Sequence, residues 1–161
     1  MRKLETVFAA VAVAGVVGAL LLPASGNLAL LHELAGIVPV LAGGLWLVKA
    51  AFMIYRQKSK KDLLLVVCVA VLLLGFSALK IGQTAADALQ GPQSVVLYDC
   101  DVESTMGTKG IFSLNYQLRG IDASGEKYRL RLSGSDARKL AGKDTVTVEY
   151  YANTKRVVVF Q

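Results

Sequence analysis

Three runs without a charged side chain constrain this chain more than anything else in it. Residues 6–22, 34–48 and 63–79 hold no Asp, Glu, Lys or Arg over 17, 15 and 17 positions, and the middle run reaches Tyr55 if Lys49 is tolerated. A bilayer core about 30 Å thick takes roughly 20 helical residues, so each run spans it once a few flanking residues are added. Strands this apolar would leave backbone groups unpaired in lipid, so helix is the spanning form. The pattern predicts a transmembrane region over residues 1–91, with three spanning helices near 4–23, 33–55 and 62–82. At 54% hydrophobic residues and two cysteines, the chain is neither disordered nor a disulfide scaffold.

Orientation follows from the positive residues. Arg2 and Lys3 precede the first run, and Arg56, Lys58, Lys60 and Lys61 fill the link between the second and third. The link from Pro23 to Glu33 has no Lys or Arg. Positive residues stay on the cytoplasmic side. A multi-pass cell-membrane protein is expected, with its N-terminus inside and residues 82–161 outside. Met1-Arg2-Lys3 ahead of an apolar run also fits a signal peptide, with Ala24-Ser25-Gly26 as a small-residue cleavage site. The length of the run favours a retained span, and cleavage would leave the orientation of the rest unchanged.

Lys49 and Lys80 lie near span ends, where their stems can carry the ammonium groups to the interface. His32-Glu33 opens the second span and offers too few ligands for a metal site. Small residues recur at helical spacing: Ala10, Ala14 and Gly18 on the first span, Ala35, Pro39 and Gly43 on the second, and Ala78, Gly82 and Ala86 at the exit of the third. Such faces let helices approach closely, within the chain or against a protein partner or further copies. Pro39 with Gly43-Gly44 is expected to kink the second span.

Beyond Gly91-Pro92 the period changes to two. Val96, Tyr98, Cys100 and Val102 fall on one face of a first strand, and Phe112, Leu114, Tyr116 and Leu118 on the inner face of a second. Tyr128, Leu130 and Leu132, then Val146, Val148 and Tyr150, mark two more, and residues 156–160 supply a fifth. Such alternation signals strands with one buried face. Turn residues lie between them at 106–110, 122–125 and 152–154. Between strands three and four, Ser135 can cap a short helix, Leu140 can face the core and Gly142 can end it. The β-β-β-α-β-β order over residues 92–161 suits a small all-β domain of the OB-like five-stranded barrel type, with a partly open sandwich or meander as the alternative. Its alternation supplies an apolar face of its own, so the domain is expected to fold without the spans.

The segments Tyr116-Gln117-Leu118-Arg119-Gly120, Gly125-Glu126-Lys127-Tyr128 and 142–150 carry a resemblance. A few N-terminal spans followed by a small β domain resembles the short NfeD-like membrane proteins. The three segments are similar to uncharacterised β domains of small bacterial membrane proteins, in which a strand ending in Gly precedes a hairpin. The resemblance covers roughly residues 94–161 and implies architecture alone, with no catalytic positions.

Chemistry is sparse. Asp99, Asp101 and Glu103 share one strand face, too few donors for an oxygen-ligand cation site. Cys100 has no partner base and is expected as a buried thiol. No P-loop, dinucleotide fingerprint, HExxH, GxSxG or CxxC occurs, so neither a cofactor nor catalytic residues are expected. The outward positions Ser113, Asn115, Gln117, Arg119, Arg129 and Arg131 form the one face that could meet a ligand. Anionic lipid or a wall polymer fits its charge. Nucleic acid does not, because no aromatic side chain interleaves with the arginines. The leading expectation is a non-enzymatic membrane-anchored accessory protein; a small oligomeric transporter or channel component comes second, and a membrane-associated enzyme third.

Overall fold

The computed structural model of the chain describes residues 2–56, 60–106 and 114–161. They divide into two compact units, Met1–Leu21 with Leu31–Thr84, and Leu22–Leu30 with Ala85–Gln161.

The first unit is helical, built from α1 (Arg2–Leu21) and most of α2 (Ala29–Arg56) and α3 (Lys60–Gln90), the first two residues of α2 and the last six of α3 belonging to the second unit. Among the described residues two helices of spanning length are found where the sequence predicts three. Ala29–Arg56 and Asp62–Gln90 are long and apolar enough to cross a membrane, and the apolar part of α1, Glu5–Leu21, is shorter. At about 1.5 Å per residue that part covers roughly 25 Å, under the ~30 Å of a bilayer core. Glu5 bounds it at one end and Pro23 follows at the other.

Helix contacts form where small residues remove bulk. A Cβ on Gly15 would lie 2.7 Å from Pro39 Cδ, and one on Gly18 would lie 3.3 Å from the Ala35 Cβ. Across the other side of α2, a Cβ on Gly44 would lie 2.9 Å from Leu74 Cδ2. Of the small-residue faces expected from spacing, Gly18, Ala35 and Pro39 therefore serve the α1–α2 contact. Gly43 and Ala86 are half-buried, and Ala10, Ala14, Ala78 and Gly82 are exposed. Pro39 lies inside α2, which runs on as helix past it. Lys49 pairs with Glu5 at 3.3 Å between α2 and α1. The buried stripe of α3 includes Ala70, Ser77, Thr84 and Asp87. The Ser77 and Thr84 hydroxyls donate to the carbonyls of Leu73 and Lys80, four residues back, at 2.8 and 2.9 Å.

The second unit is centred on a sheet of β1 (Gln93–Met106), β2 (Leu114–Ile121), β3 (Lys127–Leu132), β4 (Val146–Tyr150) and β5 (Val157–Phe160), with α4 (Gly134–Leu140) between β3 and β4. The strand order is β3-β2-β1-β4-β5 and every neighbouring pair is antiparallel. The long β1 serves both halves. Gln93 to Leu97 pair with β4, and Tyr98 to Met106 pair with β2.

A bulge between Tyr98 and Asp101 joins the halves, with Asp99 in the left-handed region at φ 49. It corrects the predicted face of β1. Strict alternation puts Val96 and Tyr98 inward, yet they are 40% and 44% exposed while Leu97 is fully buried. The extra residue flips the parity, so Val95 and Leu97 before the bulge and Cys100 and Val102 after it all meet the core. Gly120 permits this, since a Cβ there would lie 2.9 Å from the Leu97 Cβ.

The core itself is Leu97, Leu118, Leu130, Leu132, Ala137, Leu140, Val146, Val148, Tyr150 and Val157. The α4 cap is Ser133 rather than Ser135; its Oγ accepts the Asp136 N–H at 3.2 Å. The sheet is open among the described residues. Its edge strands approach at one parallel bridge, Arg131 with Arg156, where the Arg131 N–H donates to the Lys155 carbonyl at 2.7 Å. The bridge lies just before the short β5 begins, so no continuous ladder closes the expected barrel.

Candidate functional site

Register places the expected ligand face in rows. Arg129 of β3 lies opposite Arg119 of β2, which lies opposite Asp101 of β1; Arg131, Gln117 and Glu103 form the next row. Directly opposed residues share a face of the sheet. Arg129 and Arg131 are exposed, and Gln117 and Arg119 are half-buried. The Arg119 guanidinium forms an ion pair with Glu103 across the rows. Asn115 lies opposite Thr105 in the β1–β2 ladder, and Ser113 falls outside the described residues.

The sequence shows three arginines in these two rows; the fold adds two carboxylates from β1, leaving the rows a formal surplus of one positive charge, with the exposed Lys127 at the same parity two residues before Arg129. Exposed pairs of this kind contribute about 0–1 kcal/mol and are screened over about 8 Å at physiological salt. The face therefore presents alternating donors and acceptors, and its reach is short.

The acidic trio does not survive as a trio. Asp99 is taken up by the bulge, which leaves Asp101 and Glu103 on the arginine face. Cys100 donates to the Leu97 carbonyl at 3.4 Å, and burial pushes its thiol above the ordinary range, with Asp99 and Asp144 adding to the shift. A thiol held protonated is a poor nucleophile. Among the described residues no three His, Cys, Asp or Glu side chains gather to hold a metal. On the β4–β5 side a shallow depression lined by Ser94, Thr147, Glu149, Val159, Phe160 and Gln161 has Glu149 as its one ionisable side chain.

The strongest polar constellation was not expected from the sequence. Asp87, near the end of α3, is fully buried. Its Oδ1 accepts the Asn153 N–H and Nδ2–H, both at 2.8 Å, and its Oδ2 accepts the Thr154 N–H at 2.7 Å. A carboxylate thus closes the β4–β5 turn from 66 residues away. The α1–α2 linker docks nearby. Arg156, 6% exposed, donates from Nη1 to the Ala24 carbonyl at 2.8 Å, and the Gly26 N–H donates to the Val157 carbonyl at 2.9 Å. Buried Ser25 donates to Asp136 and accepts the Ser133 N–H at 3.2 Å, which ties the linker to the α4 cap. Two signals were available. Asp87 is the last acidic residue before the break, on the same helical stripe as Ser77 and Thr84, and Arg156 stands directly before the apolar run of residues 157–160.

No protein-family model, no curated protein and no solved structure matches the chain.

Proposed function

We propose that this is a non-enzymatic, membrane-anchored accessory protein that holds a small β unit at the extracytoplasmic surface for a larger partner. The observation that carries this reading is the composition of the second unit. The linker Leu22–Leu30 folds with Ala85–Gln161, although α2 and most of α3 lie between them. Two bilayer-long helices joined head to tail return a chain to the side it left, which suits a linker and a β segment on one side of the membrane. The basic link with Arg56, Lys58, Lys60 and Lys61 then lies on the other, cytoplasmic side. In this reading α1 is a third, shorter span that uses its flanking residues to reach both interfaces. The β unit is an OB-like barrel left partly open, a reading supported by the single parallel bridge between Arg131 of β3 and Arg156, the residue before β5.

Two further features support an accessory over a conduit or an enzyme. The Ser77 and Thr84 hydroxyls are spent on their own helix backbone, so they offer no polar path. Cys100, the one thiol of the β unit, is protonated and half-buried. The arginine rows are the surface for a partner or for anionic lipid or wall polymer.

Cysteine accessibility tests the placement. With Cys68 and Cys100 replaced, a cysteine introduced at Ser124 should react with a membrane-impermeant thiol reagent in intact cells, while one at Ser59 should not. The opposite pattern would overturn the reading. Mild-detergent purification, followed by identification of co-purifying chains, tests the accessory role. A defined homo-oligomer without a second chain would favour a transporter or channel component instead.

A further inference from the structure

One continuous stretch of backbone, residues 153–157 from the β4–β5 turn into the first residue of β5, touches three separate parts of the second unit in succession. Asn153 and Thr154 give their N–H groups to Asp87 of α3 at 2.8 and 2.7 Å. The Lys155 carbonyl takes the Arg131 N–H of β3 at 2.7 Å. Arg156 reaches the Ala24 carbonyl at 2.8 Å, and the Val157 carbonyl takes the Gly26 N–H at 2.9 Å. Five consecutive residues therefore hold the end of α3, the β3 edge and the α1–α2 linker.

The stretch has little freedom to absorb a movement at any one of these contacts. Thr154, Arg156 and Val157 are buried. Tyr151 and Lys155 brace it from within, the Tyr151 N–H donating to the Arg156 carbonyl and the Lys155 N–H to the Tyr151 carbonyl, each at 2.9 Å. Lys155 sits at φ 55, a left-handed conformation that a non-glycine residue keeps only where its surroundings impose it. A shift of the Asp87 carboxylate must therefore be passed along the backbone or break hydrogen bonds on the way.

We propose that residues 153–157 form a coupling element, through which the β3 edge at Arg131, the end of α3 and the α1–α2 linker change position together. Arg131 belongs to the arginine rows, so a ligand on that face would bias the two chain segments that lead into the membrane helices. This consequence rests on the proposed function; the coupling itself does not, and it is measurable without a ligand.

The test is amide hydrogen exchange on the full chain in lipid nanodiscs. Asp87→Asn should raise exchange at the Gly26 and Arg131 N–H groups about tenfold or more, though Asp87 touches neither, while Leu118 of the interior strand β2 and its β3 partner Leu130 stay protected. Coupling is reciprocal, so Arg156→Gln should speed exchange at the Thr154 N–H. If Asp87→Asn unfolds the unit, Asn153→Ala removes only the Nδ2–Oδ1 bond and is read at the same amides. Changes confined to Asn153 and Thr154 would overturn the proposal. So would a uniform acceleration that includes Leu118, because that reports lost global stability rather than a coupled element.

Discussion

Removing the Asp87 carboxylate is the sharpest test of how the β unit is held. Asp87→Ala leaves three donors without their acceptor: the Asn153 N–H, the Asn153 Nδ2–H and the Thr154 N–H. Asn153 is exposed, so its two donors can turn to water, and their loss costs about 1 kcal/mol between them. Thr154 is buried at 4% exposure, and its orphaned N–H costs about 1–3 kcal/mol. Alanine returns a few tenths of a kcal/mol as a better helix former than aspartate. The expected destabilisation is thus about 3 kcal/mol. For a domain of this size that lowers the melting midpoint by roughly 10–20 °C. The near-ultraviolet circular dichroism of tyrosine follows it, since Tyr98, Tyr116, Tyr128, Tyr150 and Tyr151 belong to the second unit and only Tyr55 to the first. Asp87→Asn, which keeps the shape and one acceptor oxygen, should fall between wild type and alanine. A midpoint for Asp87→Ala within about 0.5 kcal/mol of wild type would refute the reasoning, because it would mean that dehydrating the carboxylate cancels everything its bonds return.

Four other outcomes follow from the same geometry. Residues 92–161 expressed alone lack Asp87 and the linker, so they should melt well below the β unit of the full chain, and equal midpoints in the same detergent would count against a structural role for both. Leu118→Asp buries an unpaired charge where exposure is zero and should abolish the cooperative transition at a cost of several kcal/mol, whereas Arg129→Gln on the outer face should shift it by less than about 0.5 kcal/mol. Replacing Arg119, Arg129 and Arg131 together by Gln should remove any salt-sensitive binding of the purified chain in neutral nanodiscs to anionic vesicles; binding that survives the change would clear the arginine rows of that role. The Ser124 hydroxyl, with the Glu126 and Ser124 N–H groups, holds the Asp122 carboxyl below the ordinary carboxylate range. Its contribution is present above that range and lost as pH falls through the depressed value, so Asp122→Asn should lower stability modestly at neutral pH, converge with wild type in acid and so flatten the acid limb; an unaltered acid limb would show that the turn does not depend on the charge.

The inner faces of β2, β3 and β4 were legible because nothing interrupts their period of two: Leu118, Leu130, Leu132, Val146, Val148 and Tyr150 are buried where alternation puts them. The same rule failed on β1 at a single place. Nothing in Tyr98-Asp99-Cys100-Asp101 announces that Asp99 adopts a positive φ, and one inserted residue moves every earlier side chain to the opposite face. Spacing also misplaced part of the helix contacts. Ala10, Ala14 and Gly18 and the pair Gly15 and Gly18 are equally small in sequence, and only the crossing with Pro39 and Ala35 decides that Gly15 is needed.

The arginine rows show why a face can be read and its charge misread. Outward placement of Arg129 and Arg131 is a local property of one strand, and the period gives it. Field strength is a property of neighbours, and the neighbours Asp101 and Glu103 come from a strand whose register depends on the bulge. Asp87 is the extreme case of the same limit. Its spacing along α3 is that of an ordinary buried stripe, and its partners lie beyond four intervening strands in a turn that reads as solvent-exposed. A carboxylate buried to hold two backbone amides gains those bonds only if the turn is already at the helix end. The helix end and the turn thus specify each other, which neither segment can do alone.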